Sequence, residues 1–387
     1  MRIAVVGAGI FGTTAALSLR RRGHDVILVD PGPLPHPDAA STDISKLIRM
    51  EYGTDHFYTD LMSRCFDGWK TWNDRWDRPL YHEDGILVMC REAMQSPGFE
   101  GDSYAVLAER GDRPERLDEA EIRRRFGSWR GHTDGYFNPK AGWAESGAVT
   151  AKLHAEAELA GVVFERAVTI GVLGDERVTG VWTDRGSIEA DLVVMSVGAW
   201  TPTLLPELAD RLRAMGQPVL HFGVDPQVFH AGAFPPWAAD IANTGWYGFP
   251  AKVDGTLKVA NHGAGIHADP MQPRVVPPEW EARFREFFRE HVPALADAPV
   301  VGSRLCLYCD SFDGDFFICR HPDRDGLVLN TGGSGHGFKF APILGDLAAD
   351  AALGVENPDL DRFAWRVLGA RHTEDARHDP TLRTERR

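Results

Sequence analysis

Apolar residues in this chain gather into short β-branched runs, each closed by a glycine-bearing turn and followed by residues with helical spacing. The run Ile3 to Val6 has the length and branching of a strand buried on both faces, as in a parallel sheet. Gly7, Gly9 and Gly12 follow, with Ile10 and Phe11 between them. Thr13 to Arg22 then carries a helical pattern, Gly23 ends it, and Val26 to Val29 forms a second strand closing at Asp30. In this G-x-G-x-x-G turn the first glycine permits the bend, the second lets a pyrophosphate approach, and the third lets helix and strand pack closely. Asp30 is placed to accept hydrogen bonds from a ribose diol. Strand, turn, helix, strand and terminal acid in this order predict an adenine-dinucleotide unit; the pattern leaves FAD and NAD both open.

The same grammar recurs near the other end. Val328 to Phe340 (VLNTGGSGHGFKF) is an apolar run and a turn with Gly333, Gly335 and Gly337, carrying His336, Phe338 and Lys339; helical spacing resumes from Ala341 to Leu353. A glycine turn that opens a helix offers backbone N–H groups and partial positive charge to an electron-rich ligand edge. Two ends of the chain are thus suited to one cofactor. Between them, Asp191 to Leu205 reads as a buried strand ending at Gly198-Ala199-Trp200, after a hairpin-like stretch from Val172. It fits a dinucleotide fold or an ordinary βα unit. Pro31 to Pro37 reads as a rigid connector, and the polar residues after Leu368 as a mobile tail or interaction arm.

At 387 residues, two domains are the natural expectation. The balance of 42 Lys+Arg against 56 Asp+Glu gives a net charge of -14, which disfavours a nucleic-acid partner. Five scattered cysteines do not suggest a disulfide framework, and Cys306 and Cys309 have no second pair to complete a zinc site; the expectation is no metal and a reducing cytoplasm. No run approaches the ~18 apolar residues of a membrane span, and the N-terminus reads as a strand, not a cleavable signal.

With these residues in view, the chain resembles the monomeric sarcosine oxidase, N-methyltryptophan oxidase and fructosyl-amino-acid oxidase family of D-amino-acid-oxidase-type flavoproteins, in collinear order from end to end. Four segments carry the likeness: Ser41 to Gly53 (STDISKLIRMEYG), Trp246 to Gly263 (WYGFPAKVDGTLKVANHG), the stretch around Cys306, and GGSGHGFKF. The resemblance implies an α/β chain with a Rossmann-like FAD-binding domain (1–85, 145–215 and 320–387) and a second α+β substrate domain built on a mixed sheet (86–144 and 216–319). It implies FAD bonded covalently to Cys306, with Ser41 and Lys46 beside the cofactor. Arg49 and Lys339 match the cations that hold a substrate carboxylate, and Tyr247, Lys258 and His262 match active-site positions. Lys258 would lie over the flavin and stabilise superoxide-like charge on oxygen, and His262 would shape the pocket.

The residues themselves admit plainer readings. Arg49 could be a surface partner of Glu51, Lys339 a surface lysine at a helix start, Lys258 a solvent-facing strand residue, and Tyr247 and Tyr308 core packing. Trp143, Phe222, Trp246 and Tyr308 are further candidates for the pocket wall. The resemblance implies a monomeric amine oxidase that takes an N-substituted or cyclic amino acid to an imine and oxygen to hydrogen peroxide. Alternatives are a fructosyl-amino-acid, saccharopine or pipecolate oxidase, towards which Lys46 leans, a tailoring oxidase on a cyclic imino acid, and a flavin-binding protein without turnover.

Overall fold

The computed structural model describes residues 1–383. A six-stranded sheet has the order Phe317–Arg320, Leu327–Thr331, Leu192–Met195, Arg2–Val6, Asp25–Asp30, Val163–Arg166. Its strands run parallel except at one edge, where Phe317–Arg320 pairs antiparallel with its neighbour. Ile3, Ala4, Val5 and Val6 are buried, as a strand covered on both faces requires. The helices Ile10–Arg21, Ser146–Leu159 and Ala341–Leu353 pack together beside this sheet.

The glycines act through close approach. Gly7 has φ +95°, and a Cβ there would lie 2.6 Å from the Ser196 carbonyl oxygen. A Cβ on Gly12 would lie 1.8 Å from the Gly7 carbonyl oxygen, so the helix is seated directly on the turn. Gly12→Ala is therefore expected to overpack this junction at a cost of about 1–3 kcal/mol or more. Thermal unfolding checks it, and an undiminished melting temperature would contradict it.

A second, nine-stranded mixed sheet contains Ile86–Cys90, Glu115–Asp118, Asp134–Asn138, Leu212–Gly223, Trp237–Ala239, Trp246–Gly248, Thr256–Asn261, Ile266–His267 and Val300–Ser311. Leu212–Gly223 is its spine, paired antiparallel with Val300–Ser311 on one side and Thr256–Asn261 on the other. The helix Glu279–His291 buries Phe284, Phe287 and Phe288 in an aromatic core with Phe222, Trp129 and Trp237. The fold is thus the α/β architecture with a mixed second sheet that the sequence led one to expect.

The stretch around Cys306 is a strand, so Cys306 and Cys309, three residues apart, point to opposite faces. Cys306 packs with Val219, Ala260 and Tyr308, whereas Cys309 lies 3.5 Å from Thr331 Oγ1. The tail after Leu368 is not a free arm: Ala376, Arg377 and Asp379 are buried, and Arg377 Nη1 donates to Asp310 Oδ1 at 2.8 Å. Polar residues gave no sign of this because the segment is held by ion pairs, not by an apolar stripe. Its last four positions, 384–387, lie outside the described residues.

Candidate active site

A cavity of about 660 Å³ lies at the carboxyl ends of the parallel strands, where open α/β sheets hold ligands. Gly7, Gly9, Ile10, Phe11 and Asp30 line it from the first βαβ unit. Ser41, Lys46, Gly198 and Trp200 supply the middle, and Gly333, Gly335, Gly337 and Phe338 the far wall. The predicted cofactor residues from both chain ends therefore converge. Gly12 sits behind the turn, as its contact with Gly7 requires, while His336 and Lys339 line the adjoining pocket instead.

The lining suits a dinucleotide. A Cβ on Gly9 would meet only Ser41 Oγ, at 3.5 Å, leaving an open cradle against the backbone at the start of the helix. Asp30 accepts one backbone N–H on each oxygen, from Ala8 and from Gly32, both at 2.8 Å. A carboxylate has about four acceptor sites, so each oxygen keeps capacity for a ribose hydroxyl.

A smaller pocket of about 50 Å³ shares Lys46, Tyr308, Gly335 and Phe338 with the cavity. Its other walls include Arg49, Tyr247, His262, His336, Lys339 and Glu374. Arg49 and Lys339, 290 positions apart in sequence, thus face one small space. The surface readings of both are wrong: the Arg49 side chain is 7% exposed and Lys339 is buried. Arg49 Nη1 donates to the Glu51 carbonyl, and Nη2 pairs with Glu374 Oε2 at 3.1 Å. Burial, then the nearby Arg49 charge, push the Lys339 pKa well below its ordinary value. Lys339 Nζ donates to the Tyr52 hydroxyl at 2.8 Å. The Tyr52 hydroxyl lies 3.1 Å from His336 Nδ1, and His336 Nε2 lies 3.0 Å from the Gly314 carbonyl. Burial brings the His336 pKa down to about 3. The ring is therefore neutral, with Nε2–H donating to the carbonyl and Nδ1 accepting from Tyr52.

Lys258 is also buried rather than solvent-facing. Its Nζ donates to Asp43 Oδ2 and to the Ser45 carbonyl, each at 2.6 Å, beneath the segment that carries Lys46. Burial outweighs Asp43 and lowers its pKa to about 8. Burial disfavours the ionised Asp43 carboxylate, yet Lys258 and the neighbouring His221, whose Nε2 lies 3.3 Å away, hold its pKa well below the usual range. His262 Nε2 donates to Glu374 Oε1 at 2.7 Å. Tyr247 and Tyr308 both line the pocket.

Of the proposed wall aromatics only Tyr308 reaches this pocket. Tyr247 faces it, so strand alternation turns Trp246 to the other side, onto Phe284 and Phe287. Phe222 joins the same aromatic core, and Trp143 stacks on His82 and donates to Asp84 at 2.9 Å. Asp43, Tyr52 and Glu374 were not foreseen. Asp43 stood inside a segment read for its cations, and Glu374 inside a tail without periodicity.

Cys306 Sγ lies 3.9 Å from Lys46 Nζ. Burial raises a thiol, but Lys46 and Arg304 outweigh it, and its pKa falls below the ordinary value. Cys309 lines the cavity, yet burial pushes its pKa up to about 11. Away from the site, Cys90, Glu100 and Asp240 place ligand-type atoms within 4.8 Å of one another, but Asp240 already holds Arg91 and Asn243, both at 2.7 Å. Among the described residues no helix is long and apolar enough to cross a membrane.

The family described as FAD dependent oxidoreductase (DAO) matches residues 2–351. The chain belongs to that family. This oxidoreductase is 28% identical over 376 residues to the monomeric sarcosine oxidase of Bacillus sp. (strain B-0618), with 94% of this chain and 95% of that one covered. It is 27% identical over 371 residues to N-methyl-L-tryptophan oxidase of Salmonella heidelberg (strain SL476), covering 94% and 97%. Its structure superposes on fructosamine oxidase (Amadoriase II) of Aspergillus fumigatus with a TM-score of 0.85 at 26% identity, over 98% of this chain and 94% of that one. The resemblance read from the sequence is borne out, and FAD is the dinucleotide.

Proposed function

We propose that this oxidoreductase oxidises the C–N bond of a carboxylate-bearing secondary or cyclic amine, such as an N-substituted amino acid, to an imine, with oxygen reduced to hydrogen peroxide. The observation that carries this reading is the convergence of Arg49 and Lys339 on a pocket that shares a wall with the dinucleotide cavity. A guanidinium offers a planar fork to a carboxylate and a lysine adds a point charge. Gripping that end fixes the carbon next to nitrogen in one orientation, and orientation removes entropy from the barrier. Gly9, Asp30, Ser41 and the glycine turn at 333–337 would hold FAD, which, when bound, accepts a hydride equivalent and delivers electrons to oxygen. Tyr247 and Tyr308 narrow the pocket, and His262 with Glu374 sets its charge.

Cys306 is proposed as the covalent anchor because its thiol lies 3.9 Å from the ammonium of Lys46, a residue of the cavity wall, and that cation with Arg304 holds it toward the reactive thiolate. Acid precipitation is expected to leave yellow colour on the parent protein and on Cys309→Ser, but not on Cys306→Ser; colour retained in Cys306→Ser would overturn the assignment. Five unpaired cysteines support a cytoplasmic location, and the protein is proposed to act as a monomer. Peroxide release from a panel of N-methylated, cyclic and fructosyl amino acids tests the activity, the fructosyl arm being included for the Aspergillus likeness. Release with a carboxylate-bearing amine and none with the matching decarboxylated amine is expected. Equal rates with both would remove the carboxylate from the account.

A further inference from the structure

The anion site is already filled by the protein itself. Both terminal nitrogens of Arg49 are engaged, Nη1 by the Glu51 carbonyl and Nη2 by Glu374. The Glu374 side chain is only 6% exposed, and its second oxygen is held by His262 at 2.7 Å. The pocket they share measures about 50 Å³, and Glu374 forms part of its wall. A substrate carboxylate that takes the Nη edge of the Arg49 fork therefore competes with Glu374 for Nη2.

We infer that Glu374 is an internal carboxylate occupying the Arg49 anion site, so that a substrate carboxylate binds by exchange with it and not by simple addition. The segment carrying Glu374 is built for such an exchange. It is anchored just beyond, where Arg377 donates to Asp310 and to the Gly263 carbonyl and the His378 amide donates to the His262 carbonyl. The backbone on either side is tied as well, the His372 amide to the Phe312 carbonyl at 2.8 Å and the Arg377 amide to the Glu374 carbonyl at 2.9 Å, so it is the Glu374 side chain, held by charge, that exchanges. Exchanging one carboxylate for another keeps Arg49 paired throughout, which avoids leaving a buried cation alone. Glu374 thereby sets specificity: it excludes ligands too weakly anionic to displace it, and neutral or cationic amines gain nothing from the site.

The inference rests on the proposed role of Arg49, and its test does not need turnover. Acetate is titrated into flavin-loaded protein and its dissociation constant is read from the change in flavin absorbance, for the parent, Glu374→Gln and Glu374→Ala. Both variants are expected to bind acetate at least tenfold more tightly. With an N-methylated amino acid, KM should fall by a similar factor while kcat changes little. In the parent, acetate should speed amide hydrogen exchange across residues 372–378, a readout available even if the variants fail to fold. Acetate binding unchanged or weakened in folded variants, or exchange unaffected by saturating acetate, would overturn the inference. If the parent oxidises carboxylate-bearing amines while those results hold, the proposed function stands without it. If tightening is seen but no amine is oxidised, the exchange stands and the function does not.

Discussion

Arg49→Ala is expected to lower kcat/KM for a carboxylate-bearing amine by two to three orders of magnitude, chiefly through KM. Truncating one partner of a buried, hydrogen-bonded charge pair costs about 2–5 kcal/mol, and ~1.4 kcal/mol corresponds to tenfold. Arg49 would be such a partner for a bound substrate carboxylate, its side chain being 7% exposed. The same substitution leaves Glu374 buried with His262, so a stability loss of about 3–5 kcal/mol accompanies it. The two effects separate in the double variant Arg49→Ala/Glu374→Gln, which is expected to recover much of the stability and little of the activity. Arg49→Lys should fall between, since an ammonium keeps the charge but not the fork. Steady-state kinetics and thermal unfolding measure both; an Arg49→Ala enzyme with an unchanged KM would refute the clamp.

The second large effect is expected at Lys258. Lys258→Met should slow the oxygen-dependent return of flavin absorbance by roughly a hundred- to thousandfold, the magnitude typical of removing one preorganised electrostatic group, while anaerobic reduction by substrate changes far less. Negative charge grows on oxygen as it accepts electrons, and in the role proposed for it the buried Lys258 cation would stabilise that charge. The variant should remain folded because Asp43 keeps His221 at 3.3 Å and Lys46 at 3.8 Å. The pH dependence has a definite sign. Lys258 has its pKa lowered to about 8 and is cationic below that value, so the oxygen step should be fastest at low pH and decline as pH rises through about 8. Substrate oxidation needs a neutral amine and should rise with pH. Stopped-flow measurement of each half-reaction separates the two slopes, and an oxygen step insensitive to both pH and Lys258→Met would refute this role.

Much of the fold was legible because its signals are local. Ile3 to Val6, the glycine spacing and Asp30 define a βαβ unit within thirty residues, in which Gly7 and Gly12 answer to close contacts and Gly9 to an open cradle. The convergence of Arg49 with Lys339 was not local; it came from the likeness to a family and is now explained by a glycine turn that brings residues 333–339 beside the strand at 46–48. What stayed hidden depended on long-range charge. Asp43 matters only because Lys258 lies beneath it, and Glu374 only because a polar segment folds back onto Arg49. Neither leaves a periodic trace. The pocket aromatics were misplaced for a simpler reason: Trp246 and Tyr247 are adjacent on a strand, so only one of them can face the site.

The most direct test of the whole account is an anaerobic titration of purified, flavin-loaded protein with an N-methylated amino acid, followed in the visible spectrum. Full bleaching of the flavin is expected, with colour restored and hydrogen peroxide formed in equal amount when oxygen is admitted. A spectrum unaltered by every carboxylate-bearing secondary, cyclic and fructosyl amine in the panel would contradict it.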